Sequence, residues 1–250
     1  MRIRTMSALF SAIILCGVTV AHAAGGRQDD AKADPAAFAL LKEAHDRRDT
    51  FPAGFSGLTA DVLLNDNGKE VKGALTYTSA GEVKLTLTDA TKQEEEWANE
   101  ELGSALAHRR KDDFAHGDGS HPLTFVQDDH SPLGRLIALN DRFKSAYRVK
   151  DGQITEVTRS MGKIRFTITV LDNKFVEDGK YLPNQFVVTY FDASSGAIQH
   201  VDLFSDGFVK VGNAWIPSSR RVVTAENGSF TTRSLALTNI HLLGSTTAAK

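Results

Sequence analysis

The pattern of apolar and polar positions changes period several times along the chain. Phe38, Leu41, Ala44 and His45 recur at three- and four-residue spacing, which predicts one helix with a single apolar stripe. Asp34 and Pro35 suit its N-cap and first position, and Pro52 lies beyond its end near Asp49. The period then becomes two. Leu58, Ala60, Val62 and Leu64 form one strand face, Asn67-Gly68 is a two-residue hairpin signal, and Val71, Leu75 and Tyr77 return. Ser79-Ala80-Gly81 turns again into Val83, Leu85 and Leu87, giving a three-strand meander.

A second helix is expected over Lys92 to Lys111. Thr91 and Glu94 fit a capping box. Glu94, Glu95, Glu96, Glu100 and Glu101 come early, and His108, Arg109, Arg110 and Lys111 come late, an order that complements the helix dipole. Trp97, Ala98, Leu102, Ala105 and Leu106 make a narrow apolar stripe that must rest on something. Residues 112–134 are rich in Asp, Gly, His and Pro and read as the least regular stretch, with only Leu123–Val126 strand-like.

The alternation then resumes. Tyr147 and Val149 lead to Asp151-Gly152, and Ile164, Phe166, Ile168 and Val170 alternate with polar neighbours. Phe186–Phe191 is apolar on both faces. Ile198–Phe204, Phe208–Val211, Trp215–Val223 and Phe230–Leu237 complete the series, the last pair joined by Asn227-Gly228. Short strands with turns at each junction pair as sequential antiparallel neighbours. The expected class is α+β: a single large antiparallel sheet of about ten strands packed on two helices.

The ends add a compartment. Arg2 and Arg4 precede a nearly uncharged run from Met6 to Val20, and Ala21-His22-Ala23 offers the small residues a signal peptidase reads. The run is about 15 residues, short of the ~20 that span a bilayer. Residues 1–23 are therefore read as a signal peptide, 24–33 as a flexible leader, 34–244 as one β-rich domain and 245–250 as a loose tail. The protein is expected to be exported, to the periplasm or the medium. Cys16 is the only cysteine, so the processed chain would have neither disulfide nor thiol chemistry. Across 250 residues, 41% are apolar, 24% are charged and the formal charge is −2. That supplies a real core and argues against general nucleic-acid binding, which needs a clustered positive excess.

No G-x-S-x-G elbow, phosphate-binding G-x-x-x-x-G-K-[ST] loop or H-E-x-x-H helix is present. The densest polar cluster is His108, His116, Asp118, His121, Asp128, Asp129 and His130, whose spacing matches no metal site and also fits a solvated loop. The His108-Arg109-Arg110-Lys111 run reads either as an anion contact or as dipole-compatible charge at a helix end. Arg159 reads as a salt-bridged strand-end residue or as a ligand contact.

Several ordered motifs carry a resemblance. Arg47-x-x-x-Phe51, Phe55-x-Gly57-x-x-Ala60, His108-Arg109-Arg110, Tyr147-x-Val149, and Val157-x-Arg159-x-Met161-Gly162 resemble the uncharacterised domain-of-unknown-function 3386 family. Lys210-x-Gly212, Trp215-Ile216-Pro217 and Arg220 continue the match. That family carries no assigned activity, so the resemblance supplies no reaction. The architecture is also similar, in topology alone, to the outer-membrane lipoprotein carrier superfamily, which curls a sheet over helices and holds an acyl chain between them.

The function expected first is a non-enzymatic binding or carrier protein for a lipid or other apolar ligand, with no cofactor, no metal and no membrane span after processing. The ligand-binding residues expected are Arg109, Arg110, Arg159, Trp97, Leu102, Tyr77 and Phe166, arranged as a groove between helix 92–111 and the sheet, with Arg109 or Arg110 at its mouth for a polar head group. The alternatives are a hydrolase or metal-dependent enzyme built on the loop 108–130, and a structural or protein-interaction module.

Overall fold

The computed structural model describes residues 33–244. The expected signal peptide and tail lie outside these residues, as does the leader except for Ala33. Two helices and twelve strands follow in chain order. Helix α1 (Pro35–Asp46) precedes β1 (Gly57–Asp66), β2 (Lys69–Thr78) and β3 (Val83–Leu87). Helix α2 (Lys92–Ala107) then leads to β4 (Leu123–Phe125), β5 (Arg135–Leu139), β6 (Ala146–Lys150) and β7 (Gln153–Met161). The series ends with β8 (Ile164–Phe175), β9 (Tyr181–Asp192), β10 (Ile198–Val211), β11 (Ala214–Glu226) and β12 (Ser229–Leu242).

All twelve strands form one curved antiparallel sheet in the order β3-β2-β1-β12-β11-β10-β9-β8-β7-β6-β5-β4. The first strand therefore pairs with the last. Val62 faces Leu237 and Leu64 faces Leu235, which keeps both apolar rows on one face. The two edges are β3 and β4, and the long connection carrying α2 runs from one to the other.

The expected hairpins form. Asn67-Gly68 joins β1 to β2, Asp151-Gly152 joins β6 to β7, and Asn227-Gly228 joins β11 to β12, with both turn residues at positive φ in each pair. The strand number corrects the expected ten. Leu123–Phe125 is a strand, as its strand-like pattern indicated, and residues 135–139 form a further short strand just past the stretch read as irregular. Ile198–Phe204 and Phe208–Val211 are one strand, bent by a bulge between Gly207 and Phe208 that imitates a break in the pattern. The second helix also stops at Ala107 instead of Lys111, with His108 as its C-cap. Its basic run lies past the last turn.

Local chemistry explains both helices. The Asp34 carboxylate accepts from the Ala36 and Ala37 N–H groups, and Pro35 fills the first position. Thr91 Oγ accepts from the Glu94 N–H at 3.2 Å, and the Glu94 carboxylate accepts from the Thr91 N–H at 2.6 Å, a complete capping box. Lys69 on β2 closes the same carboxylate at 2.9 Å, tying the helix start to the sheet.

The helices divide the face that bears them. Helix α2 rests on β3 and β11, and Trp97, Ala98, Leu102 and Leu106 merge with Leu58, Val62, Leu75, Tyr77, Ile216 and Leu235 in one core. Helix α1 rests on β4, β6 and β7, with Leu41 and Ala44 against Leu123, Ile137, Tyr147 and Val149 in a second. Each buried Leu or Ile of these cores contributes ~1.5–3 kcal/mol. Strands β8, β9 and β10 lie between the two helices, with no comparable helix contact.

Candidate functional site

Register places a continuous row of side chains on the helix-bearing face of the middle strands. Val157 on β7 opposes Ile168 on β8, which opposes Val188 on β9, which opposes Asp202 on β10. One pleat along, Arg159, Phe166, Tyr190 and His200 line up in the same way. One pleat the other way, Val170, Phe186, Phe204 and Val222 do so. Val157, Ile168, Val170 and Phe186 are only half-buried, whereas Phe166, Val188 and Phe204 beside them are buried. Val157 packs at the margin of the α1 core and Ile168 at the margin of the α2 core. The two cores thus meet along a shallow, aromatic-floored strip.

Polar groups border this strip. On the α2 side, the Arg220 guanidinium donates to both Asp206 oxygens at 2.8 and 2.6 Å and to Glu101 Oε2 at 3.0 Å. It also lies over the Phe204 ring at 5.2 Å. Asp206 charge raises the pKa of Arg220, against the pull of burial. Burial pushes the Glu101 carboxyl up although Arg220 pulls it down. Burial likewise raises Asp202, whose Oδ1 accepts from Thr224 at 2.6 Å and whose Oδ2 sits 3.7 Å from His200 Nε2. The His200 ring stacks on Tyr190 with centroids 4.1 Å apart. Glu100, one residue before Glu101, is raised to about 7 by burial and then by the charges of Glu101 and Glu96.

On the α1 side, Arg159 Nη2 donates to Tyr147 Oη at 2.5 Å and to Asp118 at 3.3 Å, while the tyrosine hydroxyl donates to the other oxygen of Asp118. Burial holds the Tyr147 hydroxyl well above its ordinary range. Burial lowers the His108 imidazole to about 4, assisted by the charges of Arg220, Arg48 and Arg159, and its Nδ1 lies 2.8 Å from the Ser104 carbonyl oxygen.

The residues singled out from the sequence fall into two groups. Tyr77, Trp97, Leu102 and Phe166 all belong to the α2 core and are buried. Arg109, 3% exposed, donates to Asp49 and to the Trp215 carbonyl at 3.2 Å, tying the segment after α1 to the β10–β11 end of the sheet. Arg110 lies beside Gly81, and Arg159 belongs to the strip. The polar stripe His200, Asp202 and Asp206, together with Glu101, Tyr190 and Arg220, was not singled out as a site. Its signal was present as alternate positions on a strand whose other members on that face include Phe204.

The His/Asp stretch 108–130 is spread out. Asp113 pairs with His116, Asp128 with Arg135, and Asp129 with Arg148. Among the described residues no three His, Cys, Asp or Glu side chains converge on a point that holds a metal ion, and no helix is long and apolar enough to cross a membrane. A surface depression of about 270 Å³ lies at the tips of the β9–β10 and β11–β12 hairpins, lined by Ile198, His200, Glu226 and Phe230 among others.

Comparison with known proteins gives a family and distant fold likenesses. An outer membrane lipoprotein-sorting protein domain from Vibrio parahaemolyticus matches with a TM-score of 0.35 and 9% identity, covering 84% of this chain and 94% of that one. The MucA/MucB complex of Pseudomonas aeruginosa matches with a TM-score of 0.22 and 12% identity over 83% and 99%. A DUF1329 family protein from Desulfovibrio piger matches with a TM-score of 0.25 and 8% identity over 86% and 95%. No curated protein matches the sequence. The family model described as protein of unknown function (DUF3386) covers residues 32–243, so the chain belongs to the DUF3386 family.

Proposed function

We propose that the protein is an exported, non-enzymatic binding protein that holds an amphipathic or apolar ligand on the helix-bearing face, over β7 to β10. The observation that carries this reading is the half-buried row Val157, Ile168, Val170 and Phe186 between two helices that each cover only their own part of the sheet. An apolar chain laid on that row contributes ~0.8 kcal/mol per methylene removed from water, before the ordering cost of association. The polar groups at its borders, including the Arg159 guanidinium and the Asp202 carboxyl, give the ligand's polar end a place to sit. Residues 1–23 support export, to the periplasm or the medium, by their charge and apolar pattern. In this reading Trp97, Leu102, Tyr77 and Phe166 shape the wall and floor from within the core, and Arg109 and Arg110 act away from the ligand.

The test is a titration of purified protein with the neutral fluorophore N-phenyl-1-naphthylamine, with Ile168→Glu alongside. Saturable enhancement in the wild type, lost in a variant of unchanged circular dichroism, is the expected result. A wild type that gives only non-saturating enhancement would remove the carrier reading and leave the interaction module in front.

A further inference from the structure

The two edges of the sheet differ. At β4 the Leu123 carbonyl already accepts from the Asp34 N–H at 2.8 Å. At β3 the outer row is open. The Thr78 N–H donates to the Glu82 carbonyl at 3.1 Å and the Thr88 N–H to the Lys72 carbonyl at 2.8 Å, so β3 meets β2 through residues 82, 84, 86 and 88. Val83, Leu85 and Leu87 therefore turn their N–H and C=O groups away from the sheet, and none of these groups has a hydrogen-bond partner among the described residues. Their side chains lie on the helix-bearing face, where Leu87 is buried and Val83 and Leu85 are half-buried at the margin of the α2 core. An open row of this kind is a template for a further strand.

Register and charge select that strand. A second β3 laid antiparallel, with Leu85 opposite its own copy, sets Val83 opposite Leu87 and Lys84 opposite Thr86. Every outward N–H and C=O of both copies then finds a partner, the apolar row runs on across the seam, and no like charges face each other. Moving the two-fold to Lys84 sets two lysines face to face, and moving it to Thr86 carries Val83 past the end of the partner strand. In the Leu85 register, Gly81 of one copy comes opposite Asp89 of the other. The Arg110 guanidinium lies against Gly81, 2.6 Å from where a Cβ would stand. Arg110 has no carboxylate partner among the described residues, and the exposed Asp89 has no Lys or Arg partner there. The two-fold brings this unpaired guanidinium and this unpaired carboxylate together twice.

We propose that β3 is a dimerisation edge, through which two copies of the chain join into one continuous sheet about a two-fold axis at Leu85. The occupant is a second copy because the complementary charge beside each end of the strand is supplied by the chain itself. Strand β10 is five strands from β3 and β7 is further, so both copies keep the face over β7 to β10 free. The dimer therefore stands or falls separately from the binding reading. Only short edges meet, which places the interface at the small end of the range for specific contacts.

The test is sedimentation velocity of the purified protein at low salt, from ~1 to ~300 µM, with a monomer–dimer Kd on the order of 10 µM expected. Arg110→Glu should raise that Kd about tenfold or more, and Asp89→Lys likewise, because two attractive contacts become repulsive. An equimolar mixture of the two variants should recover the wild-type affinity, since each copy then meets its opposite charge. Hydrogen exchange read by NMR on the wild type serves if either variant misfolds. The Val83, Leu85 and Leu87 amides should exchange severalfold more slowly as concentration rises through the Kd. A protein that stays monomeric over the whole range would overturn the dimer and leave this edge to a strand of another protein. A dimer that both variants leave intact, with those three amides exchanging at one rate throughout, would overturn the assignment to β3 and move the contact to the exposed Ile198 and Phe230.

Discussion

Replacing Arg220 by Met should be among the most destabilising single changes in the sheet. The guanidinium is 7% exposed and holds two carboxylates, Asp206 with a side chain 5% exposed and Glu101 on α2. Methionine keeps much of the packing against Phe204 and Phe186 but leaves Asp206 charged, buried and without its counter-ion. Removing one partner of a buried pair costs ~3–5 kcal/mol, most of it the desolvation of the group left behind. For a chain of this size each kcal/mol moves Tm by ~2–4 °C, so a fall on the order of 10 °C is expected in calorimetry. The reasoning has an internal control. In Arg220→Met with Asp206→Asn the orphaned charge is gone, and the double variant should be more stable than Arg220→Met alone. A single variant within ~1 kcal/mol of the wild type, or a double variant that is worse than the single, would refute the desolvation account.

Thr91→Ala should lower stability by ~1 kcal/mol in urea unfolding, because it removes the acceptor for the Glu94 N–H at the start of α2. The Glu94 carboxyl is lowered to about 2, first by the Thr91 N–H and then by Lys69. Its stabilisation is therefore present above the unfolded value near 4.5 and is lost as pH falls toward 2, and Glu94→Gln should flatten that part of the acid-unfolding profile. Glu100 has the opposite sign. Its folded value is raised to about 7, so the folded state holds the proton more tightly and stability falls as pH rises from about 4.5 through 7. Glu100→Gln should raise Tm at pH 8 and leave it nearly unchanged at pH 4; an equal shift at both would show that the carboxylate is not in a shielded place.

How legible these features were depended on whether the signal is local. The capping box at Thr91 and Glu94, the Asp34-Pro35 start and the three hairpin turns are short-range chemistry, and each appears where the residues indicate. Alternation also put Leu58 with Val62, and Ile164 with Phe166 and Ile168, on one face of their own strands, and all five belong to the α2 core or its margin. What alternation cannot reveal is which strands meet at a distance in the chain. The pairing of β1 with β12 closes the meander on itself and sends α2 from edge to edge, so the face over β7 to β10 is decided by topology alone. The bulge at Gly207 split one strand into two apparent ones, because it resets the period by one residue. The basic run at 108–111 attracted attention as a contiguous block. The acidic border was overlooked because Glu101, Asp202 and Asp206 come from two elements a hundred residues apart.

The location of the ligand is the central claim, and methyl NMR reads it directly. Isoleucine and leucine methyls are labelled and N-phenyl-1-naphthylamine is titrated in. Ile168 and Ile164, on the helix-bearing face of β8, should shift progressively and saturably, while the exposed Leu171 and Leu203 stay still. Saturable shifts confined to Leu171 and Leu203, with Ile168 and Ile164 unmoved, would contradict the account.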